Sequence, residues 1–318
     1  MDRKFRTGES VFDHWEICGK IRQSSYASYY QLQHSDRQFT YQTQLKLVSI
    51  PRNLQDLVMI QGSGQDFSQY VQSVLSYVLE EITLQNKLEG NPNILYYYDH
   101  KVEMHPNGMG CDVLIRTELL PTVVEYAQDN PLSQGDILRM GIDIAKALED
   151  CHHQEIIHRD IQPQFIYATN SGAFKLSDFR PKGDIPQEEE SHYMAPEMCR
   201  GERYDQTVDI YSLGLVMYQF LNRGRLAFTP EGRGHHLKEE AKQIRLSGAM
   251  LPPPYFGRKG RLGKILARAC HPKPEFRYHS AREFRTDLES VKKQDGMPVF
   301  PYRPSFRFHE MERKSIFG

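Results

Sequence analysis

Ile156-Ile157-His158-Arg159-Asp160-Ile161-Gln162-Pro163 sets three charged or titratable side chains between apolar residues and stops at a proline. Asp178-Phe179-Arg180 follows Asp160 by eighteen residues, and Ala195-Pro196-Glu197 follows Asp178 by seventeen. Beyond them Val208 to Leu221 is a strongly apolar run that predicts a buried helix. Leu262 to Cys270 and Ser280 to Val291 predict two more. Upstream, Ser133 is placed as an N-cap before Ile137, Met140, Ile144, Leu148 and Cys151, which recur every three to four residues. The first 120 residues read differently. Trp15 to Ile21, Ala27 to Leu32, Phe39 to Ile50, Ile94 to Tyr98 and Cys111 to Glu118 predict strands, and Asn53 to Leu88 predicts a helix interrupted at Gly62-Ser63-Gly64 and ended by Asn91-Pro92-Asn93. A strand-rich unit followed by a larger helical one is an α+β, two-lobed plan.

The ordered set His158-Arg159-Asp160, Asp178-Phe179-Arg180 and Ala195-Pro196-Glu197 resembles the catalytic-loop, metal-loop and A-P-E motifs of protein kinases. Val208-Asp209-Ile210-Tyr211-Ser212-Leu213-Gly214 is similar to the kinase buried helix, and Arg277 lies where a kinase places the partner of the A-P-E glutamate. Lys46 in Gln44-Leu45-Lys46 matches the strand lysine, and Glu81 its partner on the following helix. The resemblance covers residues 12–292 and is closest to Ser/Thr-kinase-like proteins of Gram-positive bacteria. It implies a bilobal kinase-like fold, with a small β-rich N-lobe over 12–118, a helical C-lobe over 122–292, and a Pro-, Arg- and aromatic-rich tail over 293–318. His158, Phe179, Glu197, Asp209 and Arg277 fall on architectural positions of the family.

Phosphoryl transfer is positioning and charge neutralisation. By the resemblance Lys46 and Glu81 would hold the α/β-phosphates, Asp160 would be the base, and Asp178 would hold Mg²⁺. Other positions depart from the pattern. The second magnesium ligand, normally Asn, is Phe165, whose ring offers no oxygen to a hard cation. The lysine two residues after the base is Gln162, and the glycine of D-F-G is Arg180. The three glycines of the phosphate loop fall on Arg22, Ser24 and Ala27, which approach phosphate less freely than glycine. The residues enclosing adenine become Tyr29, Gln44 and Tyr167, with Thr117, Glu118 and Leu120 at the hinge, so the slot is expected to be filled by protein. Gln85 replaces an apolar spine residue, which predicts that the active arrangement is not enforced. Asp160 and Asp178 are expected to bond to backbone only. Glu188-Glu189-Glu190 precede Ser191 as an acidic loop able to mimic phosphorylation and dock on Arg159.

These departures predict a pseudokinase that works as a scaffold or allosteric regulator through protein contacts, with no cofactor. Two alternatives stay open: an active ATP- and Mg²⁺-dependent Ser/Thr kinase, and a nucleotide-binding switch without transfer. Composition narrows the partners. Charge is nearly balanced, at 40 Lys plus Arg against 41 Asp plus Glu, so a globally basic nucleic-acid binder is excluded. The balance hides an excess of basic residues after residue 230 and of acidic residues before it. No apolar run is long enough for a membrane span and no signal peptide is visible. The five cysteines form no C-x-x-C pair and are expected as free thiols, which with the preceding points predicts a cytoplasmic protein. Pro298, Pro301 and Pro304 recur every third residue, as in a polyproline II segment.

Overall fold

The computed structural model describes residues 5–53, 56, 58, 60, 62, 66–106, 108–182, 192–229, 236–256 and 260–294. The acidic run Glu188 to Glu190 and the tail prolines lie outside them. The N-lobe is a six-stranded antiparallel sheet: β1 (Ser10–Val11), β2 (Trp15–Gln23), β3 (Ser28–Ser35), β4 (Thr40–Ile50), β5 (Tyr97–Met104) and β6 (Cys111–Glu118), in the order β1-β2-β3-β4-β6-β5. The predicted strand Ile94 to Tyr98 is displaced: Ile94 makes only a bridge to Leu176, and β5 begins at Tyr97. The alternation expected along β4 gives way from Thr43 onward, where every residue is buried. Helix α1 (Phe67–Lys87) covers one face, on Tyr29, Val48, Ile50, Val113 and Ile115, and the N-terminal segment covers the other, on Leu32, Leu45, Leu47 and Leu114.

Helix α1 (Phe67–Lys87) starts at Asp66, whose carboxylate accepts from the Gln69 N–H at 2.9 Å. Its buried stripe is Tyr70, Val74, Val78, Glu81, Ile82 and Gln85. Two polar members thus ride on the apolar face that helical periodicity turns toward the sheet. In the C-lobe, α2 (Val123–Asp129) and α3 (Gln134–His153) each begin with a reciprocal capping box, Thr122 with Glu125 and Ser133 with Asp136. The hairpin β7 (Ile166–Ala168) and β8 (Phe174–Leu176) follows, then α4 (Pro196–Cys199), α5 (Thr207–Leu221), α6 (His236–Leu246), α7 (Arg261–Ala269) and α8 (Ala281–Gln294). Helix α5 is buried almost all round, as its apolar composition predicts. Gly214 allows its closest approach, since a Cβ there would lie 2.6 Å from Cys270 Sγ.

Candidate functional site

Lys46 stands in the middle of β4, opposite Tyr29 of β3 and Ile115 of β6. Its Nζ lies 2.6 Å from Glu81 Oε1 and 2.5 Å from Asp178 Oδ1, all three side chains being buried. Burial opposes the ammonium charge, but Asp178 and then Glu81 outweigh it, and the Lys46 pKa is held well above the ordinary lysine value. The Tyr26 ring closes over the charge at 5.3 Å. Gln85 does not loosen this arrangement. Its Nε2 donates to the Leu95 carbonyl at 2.9 Å, so the polar group is satisfied and α1 stays seated with Glu81 on Lys46.

Beneath this triad the catalytic-loop segment is gripped by Asp209 of α5. The Asp209 carboxylate accepts from the His158 and Arg159 N–H groups, both at 2.9 Å, and meets His152 Nε2 at 2.9 Å. Burial pushes the Asp209 pKa up, yet these bonds win and hold it below the ordinary value. That grip fixes Arg159 at φ +70°, a left-handed conformation a non-glycine residue does not adopt unaided. His158 accepts from the Asp160 N–H through Nδ1 at 3.3 Å and donates from Nε2 to the Ser177 carbonyl at 2.9 Å. Burial lowers its pKa, so the ring is neutral, packed against Phe179 at 4.7 Å. Asp160 and Asp178 do not bond to backbone only, as the sequence suggests. Asp160 Oδ2 accepts from Gln162 Nε2 at 3.1 Å, and Asp178 holds Lys46. Arg159 reaches the Ile157 and Arg180 carbonyls and Tyr204. Farther down, Arg277 makes a two-pronged pair with Glu197, at 2.6 and 2.8 Å, fully inside the lobe.

Behind Lys46 four side chains of the chain close on one another. Tyr29, Gln44 and Tyr167 are 3%, 1% and 1% exposed. Between them lies the guanidinium of Arg22, which leaves β2 next to a register shift. Its Cζ sits 3.8 Å from the centre of the Tyr29 ring. Nη2 donates to Tyr167 Oη at 2.8 Å and Nη1 donates to Gln44 Oε1 at 3.1 Å. The other end of the Gln44 amide donates to Thr117 Oγ1 at 3.3 Å. A planar cation thus fills the space between these side chains, with Nη1 and Nη2 each bonded to a protein acceptor. Burial, ahead of every other cause, pushes the Tyr167 phenol up to about 12, so Arg22 faces a neutral hydroxyl and keeps its own charge. At the hinge Glu118 is held by Lys175 at 2.5 Å, and Leu120 is half-buried.

The phosphate end fares no better as a cradle. In the β2–β3 turn the Tyr26 and Ala27 N–H groups donate to Ser24 Oγ at 3.2 and 2.9 Å, and the Ser24 N–H donates to the Ala27 carbonyl. Three backbone donors of this turn, those of Ser24, Tyr26 and Ala27, are thereby spent within it. Of the metal positions, Asp178 has an oxygen on Lys46 and Phe165 offers a ring edge. Among the described residues no group of three or more His, Cys, Asp or Glu could hold a metal ion. The lobes still leave an open cleft of about 720 Å³ walled by Ser24, Tyr26, Lys46, Glu81, Asp160, Gln162, Phe165 and Asp178, among others. Arg22, Gln44 and Tyr167 are not among its walls.

Sequence reasoning placed Lys46, Glu81, Asp160 and Asp178 near one another, and the structure brings them to one cleft. It took Arg22 only as a lost glycine and missed it as the plug. The signal was there: a long planar cation beside three enlarged side chains that could each accept a hydrogen bond or stack.

The family model for the protein kinase domain matches residues 65–282. A protein of Clostridium perfringens, named a probable serine/threonine-protein kinase, is 28% identical over 215 residues, covering 59% of this chain and 30% of its own length. One from Bifidobacterium longum with the same description is 30% identical over 231 residues, covering 66% of this chain and 32% of its own. A serine/threonine-protein kinase of Myxococcus xanthus is 33% identical over 176 residues, covering 50% and 24%. The chain spans less than a third of the length of each of these relatives. Among the described residues no helix is long and apolar enough to cross a membrane.

Proposed function

Because the chain belongs to the protein kinase family, we propose that its unit over residues 12–292 is a kinase fold run without nucleotide, a pseudokinase that acts through protein contacts. One observation carries this reading: Arg22, stacked on Tyr29 and bonded to Gln44 and Tyr167, stands where adenine would have to go. The self-satisfied Ser24 turn and Phe165 support it, since they remove the phosphate cradle and the second metal ligand. With the lobes tied together through Arg22 and Tyr167, the surface of the unit is what a protein partner would read.

Thermal unfolding with ATP, with and without Mg²⁺, tests it. A ligand present at a hundred times its Kd stabilises by about 2.7 kcal/mol. We expect no saturable rise in Tm at millimolar nucleotide. A rise that saturates would sink the reading.

A second reading rests on its own observations. Lys46 joined to Glu81 and Asp178 is the charge arrangement phosphoryl transfer uses, and the relatives are named as Ser/Thr kinases. An active kinase using ATP and Mg²⁺ would have to swing Arg22 out of the slot. It predicts transfer of ³²P from ATP that Asp160→Asn abolishes. The nucleotide switch predicts stabilisation lost in Lys46→Met with no phosphorylated product.

A further inference from the structure

The outer face of the N-lobe sheet is only half covered. Phe5, Val11, Phe12 and Trp15 of the N-terminal segment pack over Leu32, Leu45, Leu47 and Leu114. The same face then continues as a row of touching aromatic rings. Trp15 lies 5.6 Å from His34, His34 stacks at 6.4 Å on Tyr41, and Tyr41 meets Phe39 at 6.4 Å. The register sets His34 opposite Tyr41, and Arg116 opposite both Leu45 and Asp99. Arg116 bridges the row, 4.6 Å from the Trp15 ring and 4.8 Å from that of Tyr98, which stands edge-on to Tyr96 at 4.9 Å. Phe39, Tyr41, Tyr98 and Tyr96 are 61%, 48%, 44% and 42% exposed. An aromatic strip continuous with a buried core is a contact surface.

The chain carries a segment suited to it. Residues 297–308 read Met-Pro-Val-Phe-Pro-Tyr-Arg-Pro-Ser-Phe-Arg-Phe. Proline at every third position lines one side of a three-residue-per-turn polyproline II helix, the form that docks on aromatic-walled surfaces with little ordering cost. The point of departure is right as well. Leu288 packs at Gly141 and Arg285 pairs with Glu149, so α8 runs antiparallel to α3 and aims its C-terminal end at the start of α3. The chain reaches that start from β6 through α2, and at the end of β6 the Glu118 N–H donates to the Tyr96 carbonyl, at one end of the aromatic row. Twelve residues at about 3.1 Å each reach about 37 Å, more than the roughly 20 Å across five strands. Arg303, about 19 Å along such a segment, would arrive near the exposed Asp13 of the β1–β2 turn at the far edge.

We propose that residues 297–308 of the same chain dock along the Trp15–His34–Tyr41–Phe39 and Tyr96–Tyr98 strip and complete the cover of the N-lobe sheet. Trp15 is the single tryptophan, so acrylamide quenching of its emission in the full chain reads the contact directly. Replacing Pro298, Pro301 and Pro304 by Ala is expected to raise the quenching constant about twofold, as is Tyr41→Ser, with Tm unchanged in both. Adding the 297–308 peptide to the triple variant is expected to restore the shielding. Quenching unchanged in the triple variant overturns the proposal, whatever Tyr41→Ser does. So does shielding that fades on dilution together with a dimer mass in light scattering, which would assign the strip to a second copy.

Discussion

Arg22 and Arg277 are both withdrawn from solvent, one in each lobe, and they serve opposite ends. Arg277 is 0% exposed and matched inside one lobe: both prongs on Glu197, Nε donating to the His271 carbonyl, and the guanidinium over Tyr211 at 4.6 Å. Arg22 bridges two lobes and meets mostly neutral partners, with the one carboxylate, Glu125, at 3.6 Å. A buried charge with a buried counter-charge cannot be altered on one side alone, so it preserves the family pattern. A charge resting on rings, an amide and a phenol can be gained or lost by single substitutions. The Arg277 pair therefore belongs to the fold, whereas the cluster around Arg22 is open to change.

The largest expected effect comes from breaking the matched pair. Glu197→Gln leaves Arg277 buried beside a neutral amide, and losing one partner of a buried ion pair costs about 3–5 kcal/mol. Urea unfolding measures it. A loss below about 1 kcal/mol would mean that Arg277 is carried by its carbonyl acceptors and ring, and the contrast with Arg22 would collapse.

Arg22→Ala is expected to cost less, about 1–2 kcal/mol, because Gln44 and Tyr167 are neutral acceptors that water entering the emptied slot can satisfy. The more telling result is a gain. Arg22→Gly combined with Tyr29→Val, Gln44→Ala and Tyr167→Leu reopens the slot, and saturable binding of a fluorescent adenine nucleotide is expected to appear where the parent shows none. A folded quadruple variant that still refuses nucleotide would show that the turn at Ser24, not the plug, is what excludes it.

The difference between these regions also explains what could be read in advance. The C-lobe motifs were legible because each residue's partner is itself a motif residue: Asp209 holds His158 and Arg159, and Glu197 holds Arg277. Lys46, Glu81 and Asp178 were legible for the same reason. Arg22 was not, because a lost glycine says what a loop can no longer do and nothing about where the new side chain goes. The start of β5 was misplaced since Tyr96, Tyr97 and Tyr98 suit a strand equally, and only the pairing with Arg116 and Thr117 selects the register. Helix α6 carries its apolar period on only three residues, Leu237, Ala241 and Ile244, among five charged ones in its eleven, too short a stripe to announce it.

Between pH 7 and about 5.5 a smaller effect separates the lobes. Burial lowers the pKa of His158 in the folded chain, so the unfolded chain binds a proton first as pH falls. The contribution is complete above the ordinary histidine pKa, near 6.5, and drains away below it, by at most about 1.4 kcal/mol per pH unit. His158→Gln is expected to flatten that part of the stability profile. The Lys46 contribution has the other sign: its raised pKa leaves it intact throughout this window and exposes it only as pH climbs past the ordinary lysine value. An unchanged slope in His158→Gln would place the acid-sensitive group elsewhere.

The smallest effect is expected where the distance is the same as in the largest. Arg268 Nη2 lies 2.6 Å from Glu283 Oε1, the same separation as Arg277 Nη1 from Glu197 Oε1, but both side chains of the first pair are about 40% exposed. Water screens that pair in either state, and holding two long side chains together costs entropy that offsets the attraction. Glu283→Gln keeps an oxygen able to accept from the His279 N–H at the start of α8 and removes only the charge. It is expected to change unfolding free energy by less than about 0.5 kcal/mol, measured in the same urea titration as Glu197→Gln. A ratio near one between the two variants would mean that contact distance sets the worth of these bridges. The expected ratio, several-fold in favour of Glu197, would assign it to burial, the property that also divides Arg277 from Arg22.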